Sequence, residues 1–301
     1  MSTPLITTQN LKFSQSNKTL INDAEFSIHK FDRIILVGTN GCGKSSFLRI
    51  LKGIDVPDQG EIWKAPNIKI DLLEQNPPMP KTNNLTDFIS KGNYHPNLSK
   101  ISLILEQLSL TNIDLTKQLS GGEIRKIYLA QSILNEPDIM LLDEPTNHID
   151  LPTIDWLEKK LLELNTTMII VSHDQEFLKK IGTRIFWFNK TQLIKREGTY
   201  NNFFEWTKQV IDIEKHKMHK MKQKIKNETK WSVEGISGRR KRNMGRVKEL
   251  EKLNQNYENN KISDNKSIDI SLTKTNGSSV NIVEALNVSF TYDNTCVKKN
   301  V

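Results

Sequence analysis

The segment Gly38-Thr-Asn-Gly-Cys-Gly-Lys44-Ser45 sets two glycines five residues apart, with a lysine and a hydroxyl directly after the second. Glycines at this spacing let the backbone curl so that its N–H groups face a phosphate chain. The lysine can then reach the outer phosphates and the hydroxyl can bind Mg²⁺. Gly38, Asn40, Gly41, Cys42, Gly43, Lys44, Ser45 and Ser46 are therefore the candidate phosphate-binding residues, with Ser45 a candidate ligand for Mg²⁺. About a hundred residues later, Asp138-Ile-Met-Leu-Leu-Asp143-Glu144 ends an apolar run on two carboxylates. Asp143 is expected to hold Mg²⁺ through water, and Glu144 to polarise an attacking water as general base. A third segment, Leu119-Ser-Gly-Gly-Glu123, leads into the apolar-periodic residues Ile127, Leu129, Ile133 and Leu134. With Ser120 as N-cap, the residues Ser120, Gly121, Gly122 and Glu123 form a second anion-binding helix terminus.

These residues need a scaffold that presents them at one edge. Arg33–Val37, Ile139–Leu142 and Met168–Val171 are short apolar runs, each ending in polar residues. Between them lie helical patterns, from Lys44 to Leu51 and from Leu151 to Leu164 with Trp156, Leu157, Leu161 and Leu162 on the apolar face. Buried runs alternating with helices predict an α/β domain with a mostly parallel sheet, which binds ligands beyond the carboxyl ends of its strands. This domain is expected over 4–205, with a helical subdomain at about 80–135 and helices near Leu85–Ile89 and Ile101–Leu110.

After Gly198 turn chemistry nearly vanishes. Ile211, Met218 and Ile225 recur every seven residues with Met221 between them, and Val247, Leu250, Leu253 and Tyr257 form a second seam. Two long helices folding back as a hairpin over 206–259 are expected. A polar linker follows at 260–281, and a strand of a repeated unit at 282–301. The repeat is read from Asn10-Leu-Lys-Phe-Ser-Gln15 against Asn287-Val-Ser-Phe-Thr-Tyr292, an offset of 277 residues.

The charge is concentrated. The 301 residues carry a net charge of +8, yet Lys208–Lys252 alone holds fifteen Lys/Arg against six Asp/Glu. The basic balance therefore lies in the hairpin, densest at Arg239, Arg240, Lys241, Arg242 and Arg246. Arginines grouped at a turn suit the phosphate backbone of RNA or DNA. No apolar run approaches the roughly 18 residues that cross a bilayer, and no charged-then-apolar leader opens the sequence. With only Cys42 and Cys296, neither a disulfide framework nor a cysteine metal cluster is expected. A cytoplasmic setting fits this composition.

Taken together, the phosphate loop, the acidic strand end and Leu-Ser-Gly-Gly resemble the ATP-binding cassette family. The resemblance implies a P-loop NTPase fold, with ATP and Mg²⁺ as ligands. It also implies roles for three more residues: Gln75 near Mg²⁺ and the attacking water, His173 at the γ-phosphate, and Asp150 in a loop at the interface between cassettes. The signature residues Ser120 to Glu123 would then face the nucleotide of a partner cassette. Glu144-Pro-Thr-Asn-His148 is similar to the ABC-F branch, whose members have no membrane domain and carry two cassettes joined by a helical linker. Thr153-Ile-Asp-Trp-Leu-Glu158 and Gly238-Arg-Arg-Lys-Arg-Asn-Met-Gly-Arg246 look like its Uup-type members.

This branch implies binding to a ribosome, through rRNA or tRNA, or to DNA. Two other readings stay open: the ATPase subunit of a transporter with a separate membrane partner, and a catalytically weak truncated remnant. On the ABC-F reading one full cassette and the start of a second are expected. The ATP sandwich then needs two chains to pair as a homodimer, and a monomer would turn over slowly. Two departures stand out. Gln15 occupies the position where many cassettes stack adenine on an aromatic ring, and the arm between Gln75 and Ser120 is short.

Overall fold

The computed structural model describes residues 3–16, 18–80, 82, 84–90, 97–111, 113–234, 248–255, 290–292 and 295–298. The chain begins with β1 (Pro4–Gln15), β2 (Lys18–His29), β3 (Arg33–Gly38), α1 (Lys44–Lys52), β4 (Gln59–Lys64) and β5 (Ile70–Leu73). Helices α2 (Leu85–Ile89), α3 (Leu98–Gln107) and α4 (Gly121–Leu134) follow, then β6 (Ile139–Asp143), α5 (Leu151–Glu163), β7 (Thr167–Val171) and α6 (Gln175–Ile181). The remainder comprises β8 (Arg184–Asn189), β9 (Gln192–Glu197), α7 (Phe203–Glu234), β10 (Phe290–Tyr292) and β11 (Thr295–Lys298). Contacts divide the chain into two units, Met1–Ile211 and Asp212–Val301.

In the first unit a six-stranded sheet has the order β5-β6-β7-β3-β8-β9, parallel except for the antiparallel edge strand β9. Alternate residues of each central strand point to opposite faces. Ile34, Leu36, Ile139, Leu141, Ile169 and Val171 join a core with α1 on one side. Ile35, Met140, Leu142, Met168 and Ile170 join a core with α4, α5 and α6 on the other. Burial on both faces explains why these strands read as unbroken apolar runs.

The α/β P-loop reading holds, with three additions. A separate antiparallel sheet, β2-β1-β4, packs its inward residues, among them Ile6, Leu11, Ile21 and Phe26, into the α1-side core. Its alternation is obscured in the sequence because β1 shifts register between Thr8 and Leu11, with Asn10 at φ 49. The second arm helix runs Leu98–Gln107, earlier than Ile101–Leu110, because the Asn97 side chain accepts from the Lys100 N–H. Leu162 is exposed, so the apolar face of α5 is carried by Leu157 and Leu161 without it.

A long helix, α7, follows the domain. Its first turns sit in an aromatic cluster within the first unit, where Tyr200 stacks on Phe203 at 5.1 Å and Trp206 meets Trp187 edge-on at 5.7 Å. In the second unit, half-buried residues on α7 fall at Glu214, Met218, Met221, Ile225 and Glu228, alternating by three and four as a helical seam requires. Residues 248–255 are also helical, with Leu250 and Leu253 half-buried, and Lys224 lies 3.9 Å from Glu249. The arginine-rich turn, with Arg239, Arg240, Lys241, Arg242 and Arg246, lies outside the described residues, as do Val247, Tyr257 and the linker at 260–281.

The end of the chain contains two paired strands where one strand is expected. Phe290, Thr291 and Tyr292 of β10 face Lys298, Cys296 and Thr295 of β11. In the first hairpin Phe13, Ser14 and Gln15 face Ile21, Thr19 and Lys18. All three pairs differ by the same 277 residues as the sequence repeat.

Candidate nucleotide site

The site is a consequence of strand order. Strands β5, β6, β7 and β3 are parallel neighbours, with Leu73 opposite Leu142, Asp143 opposite Val171, and Ile35 opposite Ile170. Their carboxyl ends therefore open at one edge. The residues that follow, Gln75, Glu144, His173 and the Gly38–Ser45 loop, meet there although they are far apart in sequence. A cavity of about 610 Å³ at this edge is lined by Asn40, Gly41, Gly43, Lys44, Ser45, Ser46, Gln75, Asp143, Glu144 and His173.

The phosphate loop has little freedom. Gly43 is the N-cap of α1 at φ 101, a conformation that costs most residues energy. A Cβ there would also lie 2.9 Å from the Leu20 Cβ. The Lys44 Nζ donates to the carbonyls of Gly38 (2.9 Å) and Thr39 (3.3 Å), which holds the ammonium inside the curl of the loop. Two of the predicted phosphate residues do not line the cavity. A Cβ on Gly38 would meet the Cys42 Sγ at 2.6 Å and the Phe188 Cβ at 3.0 Å, and the Cys42 side chain is buried in the α1-side core, where burial pushes its thiol pKa up.

The two carboxylates are both buried and lie in different settings. Burial pushes the Asp143 pKa up, opposed by a hydrogen bond from Ser45 and by the charges of Lys44 and Arg125. Glu144 takes φ 53, and its side chain, 4% exposed, turns back toward β7. One carboxylate oxygen accepts from the His173 backbone N–H at 3.1 Å, and the other lies 3.4 Å from the His173 Nε2. The His173 ring is 65% exposed, so it can reach a ligand in the cavity.

Arg125, which sequence reasoning passes over, is 1% exposed and donates to the backbone carbonyls of Asp143, Glu144 and Gln75. Nothing in the sequence marks it out: it stands two places after Glu123, beside Lys126, on a helix whose buried residues also include Gln131 and Ser132.

Residues 21–147 match the ABC transporter family. The chain is 35% identical to ATP-binding protein Uup of Buchnera aphidicola subsp. Acyrthosiphon pisum, over 98% of this chain and 51% of that protein. It is 31% identical to Uup of Escherichia coli, over 83% of this chain and 46% of that one. The chain thus carries an ABC transporter family domain at 21–147 and is similar to the Uup proteins over most of its own length. It also shares 25% identity, over 83% of its length, with the energy-dependent translational throttle protein EttA of Mycobacterium tuberculosis, 52% of which is covered. A solved structure described as the ATP-binding subunit of an ABC transporter has the same fold, with TM-score 0.57 at 16% identity, covering 64% of this chain and 90% of that one. The chain spans about half the length of the curated relatives it matches.

In this cassette the donor set fits a Mg–nucleotide. Among the described residues no group of three or more His, Cys, Asp or Glu side chains could hold a metal alone. Mg²⁺ is commonly bound by one or two carboxylates plus substrate phosphates. A buried carboxylate beside a hydroxyl, Asp143 with Ser45, would supply the protein's share.

The signature residues Ser120, Gly121, Gly122 and Glu123 do not line this cavity. Ser120 and Glu123 close a capping box, with the Ser120 N–H and hydroxyl each 2.8 Å from the same Glu123 oxygen. Gly121 has open space where a Cβ would project, whereas a Cβ on Gly122 would lie 2.5 Å from the His148 carbonyl. Gly122 is thus required by packing within the cassette.

Asp150, at the start of α5, is also engaged internally, with Lys126 at 2.8 Å and the Thr153 hydroxyl at 2.7 Å. These hydrogen bonds hold its pKa at about 2. A depressed carboxylate stabilises the fold above its unfolded pKa and loses that contribution as pH falls through the folded value. Because the side chain is 55% exposed, Asp150→Asn should cost less than about 1 kcal/mol near neutral pH. In urea titrations the gap between variant and parent should narrow as pH drops from about 4 toward 2.

Proposed function

We propose that the chain binds Mg-ATP in this cavity and hydrolyses it, and that closure of the cassette on nucleotide is coupled to binding a ribosome or another structured nucleic acid. The observation that carries this reading is the convergence of Lys44, Ser45, Asp143, Glu144, Gln75 and His173 on one cavity. Lys44 and the loop N–H groups would bind the phosphates, as would the N-terminus of α1, which has no acidic residue in its first turn. Ser45, Asp143 and Gln75 would hold Mg²⁺, which when bound supplies positive charge to the phosphate oxygens. Glu144 takes a proton from the attacking water, and His173, beside it, senses the γ-phosphate. Because the Ser120–Glu123 turn lies outside this cavity, it is free to face the nucleotide of a second cassette, here or in another copy. The register that β10 and β11 share with the first hairpin at an offset of 277 residues supports reading the start of a second cassette there.

The nucleic-acid arm of the proposal is supported by the basic residues Arg239, Arg240, Lys241, Arg242 and Arg246, and by the similarity to a protein named as a translational throttle. No described helix is long and apolar enough to cross a membrane. Sedimentation of the Glu144→Gln chain with ribosomes, with and without ATP, tests the proposal. ATP-dependent co-sedimentation is expected. Association with membranes instead would favour the transporter subunit, and association with neither would defeat the partner reading.

Nucleotide choice gives a second check. Gln15 lines the cavity, with its Oε1 3.4 Å from the Ser46 Oγ, and offers no aromatic face. ATP and GTP should therefore bind within about threefold of each other. Gln15→Tyr should tighten both by about 5- to 150-fold, the 1–3 kcal/mol typical of base–aromatic stacking. Titration with fluorescent nucleotide analogues measures both.

A further inference from the structure

Arg125 occupies the second turn of α4 and is 1% exposed. A guanidinium that deep is costly to desolvate, and burial pulls its pKa down while the charges of Asp143 and Glu144 oppose that shift. The charge is spent on backbone. Nη1 donates to the carbonyls of Glu144 at 2.6 Å and Asp143 at 3.3 Å, and Nη2 donates to the carbonyl of Gln75. Three separate chain segments thus meet on one planar group: the end of β6, the segment after β5, and α4 itself.

The surroundings give this junction a direction. Gly122, one turn earlier, packs its backbone on the His148 carbonyl, and Lys126, the next residue, pairs with Asp150 at 2.8 Å. The start of α4 is therefore fixed to the turn that follows Glu144. The Gln75 segment is different. A cavity of about 360 Å³, lined by Gln75, Pro77, Gly121, Ile124 and His148, lies between it and the signature turn, and Arg125 crosses at its edge. Glu144 itself sits at φ 53, a strained position for a residue with a Cβ. It is pinned on one side by its N–H to the Val171 carbonyl at 2.8 Å and on the other by Arg125.

We propose that Arg125 is a positioning residue that locks Gln75, Glu144 and the signature helix into one body, so that a shift of Gln75 or Glu144 on nucleotide binding is carried to the Ser120–Glu123 turn. The site that binds this cassette's own nucleotide would thereby set the orientation of the turn offered to the other. The consequence for turnover rests on the ATPase reading. The core of the test does not, because it needs no nucleotide.

Hydrogen exchange read by mass spectrometry on the parent, Arg125→Lys and Arg125→Met chains decides the matter. Methionine keeps the length and leaves the carbonyls unpaired. Without nucleotide, Arg125→Met should exchange roughly tenfold faster in both 73–78 and 143–149, about 1.4 kcal/mol of local opening, with β7 unchanged. Arg125→Lys, with a single ammonium, should release 73–78 and keep 143–149. With Mg-ATP, residues 119–126 should gain protection in the parent and not in Arg125→Met. Exchange in Arg125→Met that matches the parent in both segments overturns the proposal. So does an increase that includes β7, which marks a purely structural role. ATP-induced protection of 119–126 that survives in Arg125→Met overturns it as well. If Arg125→Met fails to fold, Arg125→Lys decides, and parent-like exchange at 73–78 overturns the proposal. A parent chain that binds no Mg-ATP defeats the ATPase reading, while the nucleotide-free comparison still decides the role of Arg125.

Discussion

Glu144→Gln is expected to lower ATP turnover by about 10²- to 10⁴-fold, the range removed with a general base, while Mg-ATP affinity stays within about threefold. The geometry separates the two effects. Glutamine is nearly isosteric with glutamate, and its carbonyl oxygen can still accept from the His173 N–H that now bonds the carboxylate at 3.1 Å. The backbone bonds to Arg125 and Val171 use main-chain atoms and survive the change. The lost element is the negative oxygen 3.4 Å from the His173 Nε2, which on the proposed reading would accept a proton from water. Single-turnover rates beside equilibrium nucleotide titration measure the split. Equal losses in binding and turnover would remove Glu144 from the chemistry and make it a structural strand end.

What the sequence revealed about this site follows from how locally each feature is encoded. The phosphate loop is legible because its eight residues contain their own geometry: glycines at the turns, then lysine and hydroxyl on the first helical turn. The carboxylate pair is legible because a strand buried on both faces must be apolar until it ends, so Asp143 and Glu144 interrupt the run visibly. Gln75 and His173 carry no such mark. Each is one polar residue after a strand, placed by family resemblance and brought to the site only by the order β5-β6-β7-β3.

Arg125 was invisible for the opposite reason. Its partners are backbone carbonyls, which every residue has, so no residue type announces the contact. The antiparallel sheet was hidden by irregular register, and the aromatic anchor of α7 by its dispersal over Trp187, Tyr200, Phe203 and Trp206.

The largest loss of stability is expected not from a residue in the cavity but from the one beneath it. Phe47, on the first turn of α1, is fully buried. Its ring centroid lies 5.3 Å from that of Phe26 in the antiparallel sheet and 5.5 Å from that of Phe188 in the parallel sheet, the second contact edge-on. It therefore joins both sheets to the helix whose N-terminus forms the phosphate loop. Phe47→Ala should cost about 3–5 kcal/mol, transfer and cavity terms together. That is a large share of the 5–15 kcal/mol typical of a folded domain, and for a unit of this size it corresponds to a drop of about 10 °C in melting temperature. Phe31→Ala removes the same side chain from a site that is 59% exposed, and should change stability by no more than about 0.5 kcal/mol. Nucleotide affinity should fall with Phe47 beyond the loss of folded protein, because α1 can then shift into the space left behind and carry Lys44 and Ser45 with it. Calorimetry gives the stability term, and nucleotide titration at a temperature where the variant is still folded isolates the second. Unchanged affinity at that temperature would show that the loop keeps its shape without the core that packs under it.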